Sequence, residues 1–308
     1  MAEYYIDKAL SQFTVQYRNR MPYIALKALP PVQVKQSSGK YFVFKKFPFL
    51  SEPNELRRAS DADYRRLTMG MADPGTYSCV EYGAEILLPD SERDNADSQV
   101  RLEQNKVRVI TEALNIAQER RVASLLFNTS NFTNKSSLSG TSRWDDDASD
   151  PYGDVNTAIN TIAKEIGIKP NVMIVGQEVW SALQKHPDII DRVKYTMTAL
   201  ASDITPAMVA RALGLENILV GATVYNTADE GQAVSTAYIW GKYALIAYVE
   251  PKPSLESVSL GYTIMRQDTK VARYREESKR ATVFQIYHEV DEKLVCEKAG
   301  YLYSTVVS

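Results

Sequence analysis

Five aspartates and one tryptophan lie within the fifteen residues from Thr141 to Val155. Clustered carboxylates can bind a divalent cation or transfer a proton, so this stretch is the first candidate for chemistry. An EF-hand calcium loop that began at Asp145 would need glycine at its sixth position and glutamate at its twelfth. Those positions hold Asp150 and Asn156. Glycosidase carboxylates must face each other across a cleft, and neighbours in sequence do not provide that arrangement.

The composition of this stretch is instead typical of a solvated turn that precedes a helix. Asp, Ser and Pro supply turn and capping geometry, and Trp144 can anchor the loop on an apolar surface. We therefore predict that the aspartates bind no metal and catalyse no reaction. The enzymatic alternative is an α/β hydrolase or transferase that uses this cluster.

The other residues with catalytic potential form no recognisable site. Ser37 and Lys40 have a Ser-x-x-Lys spacing, but they fall in a predicted turn, and the partner motifs of that enzyme class are absent. Gly39-Lys40 and Gly241-Lys242 lack the upstream glycine of a phosphate-binding loop. The histidines and cysteines lie in separate segments, and we predict structural roles for all four: His186, His288, Cys79 and Cys296. The sequence thus predicts no catalytic residue, no cofactor and no metal site, and no enzyme.

Length and composition exclude further function classes. The 308 residues allow one large domain or two smaller ones, and 36 basic against 38 acidic residues leave a net charge of −2. The basic residues occur as short pairs beside acids, which argues against tight nucleic-acid binding. The N-terminus has no apolar signal sequence, and the longest apolar run, residues 237–249, is too short to cross a bilayer. We expect a protein kept in solution in a reducing cytoplasm, without a membrane partner.

The first ninety residues show β-strand chemistry with few aliphatic residues. Residues 1–29 predict a short helix and an extended arm, and residues 32–44 predict a hairpin around a Ser-Ser-Gly turn. Residues 51–75 are polar and have no clear period, and residues 76–88 predict a strand. Since residues 30–90 cannot bury a core of their own, they must pack on another surface.

Residues 98–127 predict one long helix, because about thirty residues follow Asp97 and Ser98 without glycine or proline. One face is predicted to be apolar, with Val107, Ile110, Leu114 and Ala117. The opposite face is predicted to be solvated and carries Arg108, Glu112, Glu119 and Arg120. Such a helix would serve as a strut about 45 Å long.

From Val155 onward the pattern changes to alternating helices and strands. A helix to Ile166 ends at Gly167, and another begins at Thr205-Pro206 and ends at Gly214. The remaining elements of this α/β unit are a helix at 179–183 and strands at 172–175, 218–225 and 238–249. A strand-rich tail at 281–307 is predicted to break at 291–293 and at 299–300.

Several short stretches resemble one protein family when they are taken together and in this order. They are Ser38-Gly-Lys-Tyr41; Tyr77-Ser-Cys-Val-Glu-Tyr82 with Pro89-Asp90; Leu138-Ser-Gly-Thr-Ser-Arg-Trp-Asp145 with Ser149-Asp-Pro151; Pro170-Asn-Val-Met-Ile-Val-Gly176 with Trp180; Ala212-Leu-Gly-Leu215 with Ile218-Leu-Val-Gly221; Trp240-Gly-Lys-Tyr243; and Ala299-Gly-Tyr-Leu302. The chain resembles the major capsid proteins of tailed bacteriophages, whose Hong Kong 97-type fold is shared with encapsulins and herpesvirus shell proteins.

The resemblance implies an α+β fold of the Hong Kong 97 type. This fold has an N-terminal arm, an extended β-hairpin called the E-loop, a peripheral domain with a long spine helix, and an α/β axial domain. The implied boundaries are the arm at 1–30, the E-loop at 31–90, the peripheral domain at 91–155 with its spine helix at 98–127, the axial domain at 156–265, and return strands of the peripheral domain at 266–308.

The resemblance also implies function and partners. It implies a major capsid protein that self-assembles into the icosahedral head shell of a tailed double-stranded DNA phage and encloses the genome. The protein would be assembled in the host bacterial cytoplasm and located in the virion. Its partners would be copies of itself in pentamers and hexamers, with portal, scaffolding and decoration proteins, and it would enclose DNA without sequence-specific binding. The alternative is an encapsulin-like compartment that encloses an enzyme cargo.

In the family the E-loop reaches over a neighbouring subunit, which would supply the surface that residues 30–90 require. Some members also join subunits by Lys-Asn isopeptide bonds that a nearby Glu promotes. Lysines are present in the predicted hairpin at Lys35, Lys40, Lys45 and Lys46. No motif identifies the Asn or Glu partners, so we predict no crosslink.

Overall fold

The computed structural model describes residues 5–6, 23–43, 63, 74–95, 99–196, 204–228, 232 and 235–308. The strands within these residues are β1 (Tyr5–Ile6), β2 (Pro31–Gln33), β3 (Ser38–Tyr41), β4 (Gly75–Ser78), β5 (Val80–Pro89), β6 (Lys135–Ser137), β7 (Val172–Gly176), β8 (Asn217–Gly221), β9 (Val224–Asn226), β10 (Thr236–Tyr238), β11 (Ala244–Ala247), β12 (Gly261–Glu276), β13 (Ala281–Leu294) and β14 (Gly300–Ser304). The helices are α1 (Ala25–Ala28), α2 (Asp90–Asp94), α3 (Gln99–Leu126), α4 (Pro151–Ile166), α5 (Gln177–Lys185), α6 (Pro187–Thr196) and α7 (Pro206–Ala212).

One sheet is built around the long antiparallel pair β12 and β13. Its strand order is β1-β12-β13-β5, and β2 runs parallel to β12. The predicted break at 291–293 is wrong, because β13 continues to Leu294 and Glu292 opposes Thr263. Glu292 also forms an ion pair with Arg121 of α3 at 3.0 Å. The charged residues therefore remain in the strand with partners of their own.

The predicted long helix is confirmed as α3, which has 28 residues. Its first half packs on the large sheet through Val107, Ile110 and Leu114. The predicted faces are wrong in the second half, where Ala117 is exposed and Glu119 is buried. The reason is that the second half packs on a different partner, formed by α1 and the α/β unit. At about 100° per residue, the buried face turns by roughly a quarter of a revolution between the two halves.

The predicted α/β unit is confirmed as a second sheet with helices. Its strand order is β6-β14-β11-β7-β8, and β7 is buried along its whole length. As predicted, α4 ends at Gly167 with a φ of 70°, and proline is the first residue of α7. Thr205 makes no side-chain capping bond, however. The two long predicted strands each divide: 218–225 falls in β8 and β9, and 238–249 contains the end of β10 and β11.

The strand β14 does not return to the large sheet with β12 and β13. It pairs antiparallel with β11 and parallel with β6, and it therefore extends the sheet of the α/β unit. The expectation that all strands after residue 266 return to the other domain thus fails for β14. The apolar side chain of Leu302 is fully buried between this sheet and the end of α3, which explains the preference.

The predicted local hairpin at 32–44 is wrong. The strand β2 pairs with residues 263–265 of β12, and β3 pairs antiparallel with β4. The two β-rich runs therefore belong to different sheets, and the connection between β3 and β4 contains residues 42–74. Residues 80–89, which the resemblance placed in the E-loop, form β5 beside β13.

Several predicted features lie outside the described residues. They are most of the arm, the possible caps Asp97 and Ser98, Lys45 and Lys46, and most of the polar segment 51–75. Across the part of the chain that the structure describes, we find no helix with the length and apolarity needed to cross a membrane.

Candidate functional site

The aspartate-rich stretch forms a turn and a helix cap, as predicted. Asp150 precedes α4, and its Oδ1 accepts a hydrogen bond from the backbone N–H of Gly153 at 2.8 Å. Asp146 accepts one from the N–H of Ala148 at 2.9 Å, which closes a local turn. These are the uses that short polar side chains have at helix starts and turns.

Trp144 is fully buried and holds this stretch on the core of the α/β unit. Its indole N–H donates to Asp154 Oδ2 at 2.8 Å, and the hydroxyl of Tyr303 donates to the backbone oxygen of Asp154 at 2.8 Å. Burial raises the pKa of the Asp154 carboxyl, and the bond from Trp144 partly offsets that rise. The carboxyl of Asp154 thus fixes the tryptophan in place.

Asp145 binds the end of the chain. Its Oδ2 accepts hydrogen bonds from the backbone N–H of Ser308 at 2.9 Å and from the Ser308 hydroxyl at 2.5 Å. The hydrogen bond from the Ser308 side chain lowers the pKa of Asp145. Among the described residues, no group of three or more His, Cys, Asp or Glu side chains is arranged to hold a metal ion.

Replacing Asp150 with alanine is expected to destabilise the protein by about 1 kcal/mol, because the N–H of Gly153 loses its capping acceptor. Denaturant unfolding followed by circular dichroism measures this change. Asp150→Asn is the matched control and should stay within a few tenths of a kcal/mol of the parent, since asparagine caps equally well. Equal stability of the alanine and asparagine variants would contradict the capping role.

The two histidines lie in separate parts of the fold and have structural contacts. His186 is buried, with Nε2 at 3.1 Å from Ser149 Oγ, and its Nδ1 accepts a bond from the N–H of Asp188. His288 lies in β13 and packs edge-on against Tyr82, with ring centroids 6.0 Å apart. The structure brings neither histidine next to a cysteine, since Cys79 packs with the hairpin base and Cys296 with the α/β core.

Both thiols are buried, and burial raises the pKa of Cys79 and of Cys296. A raised pKa disfavours the thiolate, which is the nucleophilic form. Ser37 and Lys40 are both exposed at the start of β3. Lys242 donates a hydrogen bond to the carbonyl oxygen of Ser308, a structural contact rather than a phosphate-binding one.

The paired strands β3 and β4 form the base of a long excursion. Tyr41 opposes Gly75, and Gly39 opposes Tyr77. Each tyrosine ring lies over the opposing glycine, where an added Cβ would come within 2.4 Å of Tyr41 and 2.6 Å of Tyr77. Both tyrosines are buried with Tyr262 at the end of the large sheet. The base is therefore anchored, although the segment that it carries contributes nothing to this cluster.

Sequence reasoning missed the buried junction at Glu119. Its Oε1 accepts a hydrogen bond from the N–H of Ala25 at 2.7 Å, and its Oε2 accepts one from the indole N–H of Trp240 at 2.5 Å. A signal was present, because Glu119 begins an i, i+3, i+4, i+7 series with three apolar residues that are buried with it: Val122, Ala123 and Leu126. One side chain of α3 thus joins the segment before β2 to the α/β unit.

Comparison with known proteins identifies this arrangement. A family model described as phage major capsid protein E matches residues 124–241. Over 98% of its length, the chain is 30% identical to the major capsid protein of Burkholderia phage BcepMu, and the match covers 96% of that protein. The chain belongs to the phage major capsid protein family.

Solved structures agree with membership of the phage major capsid protein family. A phage-related protein from Bordetella bronchiseptica RB50 is 26% identical with a TM-score of 0.80, and the match covers 99% of this chain and 98% of that one. The asymmetric unit of the mature capsid of bacteriophage PhiM1 has a TM-score of 0.53 at 8% identity, with 89% and 83% covered. The second likeness shows the fold alone, which is the mixed helix and sheet fold of phage capsids.

The encapsulin-like alternative has less support than the phage major capsid protein family. The relative that matches nearly full length is a phage major capsid protein. The aspartate cluster, the main basis for an enzyme, consists of residues that cap, turn or anchor the chain.

Proposed function

We propose that this chain is the building block of the icosahedral head shell of a tailed double-stranded DNA phage. The carrying observation is the 30% identity to a phage major capsid protein over 98% of the chain. The protein would reside in the virion, enclose the genome and be assembled in the cytoplasm of the bacterial host. Its role would be structural, without a catalytic step or a cofactor.

The proposed division of labour follows the Hong Kong 97-type plan. Residues 1–30 would form the arm, 31–90 the E-loop, 91–155 the peripheral domain and 156–265 the axial domain, and residues from 266 would return to the peripheral domain. The 28-residue helix α3 is consistent with a spine helix. The pairing of β3 with β4 is consistent with an E-loop base, with the loop proper at 44–73. In this scheme β5 belongs with the peripheral sheet and β14 with the axial sheet.

Self-association would supply the stability that one subunit lacks. The segment 44–73 has 30 residues, and the four core clusters of the described residues are built without it. A segment that extends to a neighbour adds one interface to others around the same subunit. Because linked contacts form together, a closed lattice of weak interfaces is far more stable than any one pair.

The partners would be copies of this chain in pentamers and hexamers, joined by portal, scaffolding and decoration proteins. The net charge of −2 suits a wall that encloses DNA, since a strongly basic wall would bind phosphates along the genome. Enclosure without sequence-specific contacts is the corresponding proposal for DNA.

Cryo-electron microscopy of the purified full-length protein tests this function. We expect closed shells with five-fold and six-fold centres, which enclose DNA when a packaging system is present. Shells filled with a protein cargo would favour a compartment of the encapsulin kind. A protein that remains monomeric at high concentration, with and without the scaffolding and portal proteins of its phage, would contradict the proposal.

A further inference from the structure

A cleft of about 490 Å³ opens on the α/β unit beside the aspartate-rich stretch. One wall is the Trp144 loop with the end of the chain, the second is α5, and the third is β10. Trp144 and Ala182 contribute apolar surface, and charged side chains come from Asp145, Asp147, Glu178 and Lys185. None of these residues has a role in the shell as described so far.

An exposed apolar pair continues the cleft at one rim. Tyr238 lines the cleft and is 39% exposed, and Val224 directly opposite it in the β9–β10 ribbon is 47% exposed. Opposing residues of an antiparallel pair have their side chains on the same face. Large apolar side chains that are exposed together beside a cleft are typical of a surface that a partner covers.

The charge of the cleft is predominantly negative, with three carboxylates against one lysine. Asp145 already binds Ser308. Asp147 and Glu178 are exposed, and neither forms an ion pair with a basic side chain of the described residues. Two unpaired carboxylates next to an aromatic ring suit a guanidinium group, which binds carboxylates through a planar fork and stacks on aromatic faces.

The chain itself contains matching groups in the segment between β3 and β4. Leu56-Arg57-Arg58 and Tyr64-Arg65-Arg66 repeat an apolar residue followed by two arginines, eight positions apart. The segment leaves the described residues at Val43 and returns at Pro74. Each arm of a 30-residue loop can extend about 50 Å. This reach is enough to cross from one subunit to the next.

We propose that the cleft receives the arginine pairs of residues 54–71 from a second copy of this chain. The inference rests on the proposed function, in which residues 44–73 cross to a neighbour, and it specifies where they dock. The arginines would bind Asp147 and Glu178 and stack on Tyr238, while Leu56 or Tyr64 would cover the apolar rim. The contact would be oriented by charge and strengthened by the removal of water from the cleft.

Charge reversal on both sides tests the contact. Asp147→Lys with Glu178→Lys is expected to lower the yield of closed shells at least tenfold, and so is the change of the four arginines at 57, 58, 65 and 66 to glutamate. A chain that carries both sets should recover most of the parent yield, because the charges are again complementary. The matched control is Glu216→Lys with Glu256→Lys, which makes the same charge change on exposed residues of the α/β unit outside the cleft and should assemble normally.

The outcomes separate this inference from the proposed function. Normal shells from either reversed set, or failure of the combined set to recover, would overturn the docking site while the capsid function stands. Absence of shells from the parent protein would count against the proposed function instead. In that case a fluorescent peptide of residues 54–71 decides the inference: at low salt it should bind the parent protein at least tenfold more tightly than the Asp147→Lys, Glu178→Lys variant. Equal affinity, or no binding to either protein, would refute the contact.

Discussion

Glu119→Leu is expected to destabilise the unassembled protein by about 2–6 kcal/mol. The substitution nearly preserves volume but removes the acceptor of two buried donors, the N–H of Ala25 and the indole N–H of Trp240. A buried donor left without a partner costs about 1–3 kcal/mol. Because a typical domain is stable by about 5–15 kcal/mol, a loss of this size would take up a large part of the total.

Denaturant unfolding, followed by far-ultraviolet circular dichroism and tryptophan fluorescence, measures this effect. Glu112→Leu is the matched control, since the same substitution seven positions earlier in α3 affects a partly exposed side chain and should change stability by less than about 0.5 kcal/mol. The prediction concerns satisfaction of the donors rather than helix propensity. Equal unfolding midpoints for the two leucine variants would show that the donors at Ala25 and Trp240 do not depend on Glu119.

The reason to expect a functional effect of Glu119 is its position between parts of the subunit. Ala25 lies just before β2 of the large sheet, and Trp240 lies in the α/β unit, where its ring packs edge-on against Phe127 with centroids 5.4 Å apart. The same carboxyl group therefore fixes the end of α3 against both. A subunit whose two units change their relative angle would present mismatched surfaces to its neighbours in a closed shell.

Local features of the fold could be predicted from the sequence because their causes are local. The helix α3 follows from a long run without glycine or proline, and its 28 residues agree with the prediction within one residue at each end. The left-handed glycine at 167 and the proline at the start of α7 also act within one turn of chain. The aspartate-rich turn belongs to the same class, since Asp146 and Asp150 bond to residues two and three positions ahead.

Long-range pairings could not be predicted from the sequence in the same way. The alternating pattern of residues 32–44 is correct for strands but carries no information about the partner, and β2 pairs with residues 263–265. The period of α3 is likewise correct, but its two halves face different partners, so one helical face could not describe both. The placement of β14 in the α/β sheet depends on the same kind of distant contact.

The capsid function was accessible by a different route, through the order of weak motifs along the whole chain. Chemistry-bearing residues gave no positive signal for it, since the contacts that build a shell lie between subunits. The cleft beside Trp144 illustrates this limit. Asp147 and Glu178 are 31 residues apart in sequence, and only the fold places them on one surface with Tyr238.

Replacing residues 44–73 with a two-residue Asn-Gly turn is expected to leave the subunit folded and to lower shell formation by about 100-fold or more. The described ends make the replacement possible, because Tyr41 and Gly75 are already paired across the ribbon. Folding should persist, since the core clusters of the described residues are formed by side chains outside this segment. Assembly should fail, because loss of one contact among several linked contacts removes the gain from their joint formation.

Sedimentation and electron microscopy count the shells, and the thermal unfolding midpoint reports the fold of the shortened subunit. A second variant, in which a Gly/Ser segment of equal length replaces 44–73, separates the reach of the loop from its side chains. Both variants should remain folded and fail to assemble, since reach without apolar and basic side chains provides no binding surface. Shells from the Gly/Ser variant would mean that the side chains of this segment make no essential contact. A shortened subunit that no longer folds would instead place the segment within its own chain, because a loop that reaches a neighbour cannot be required for the fold of an isolated subunit.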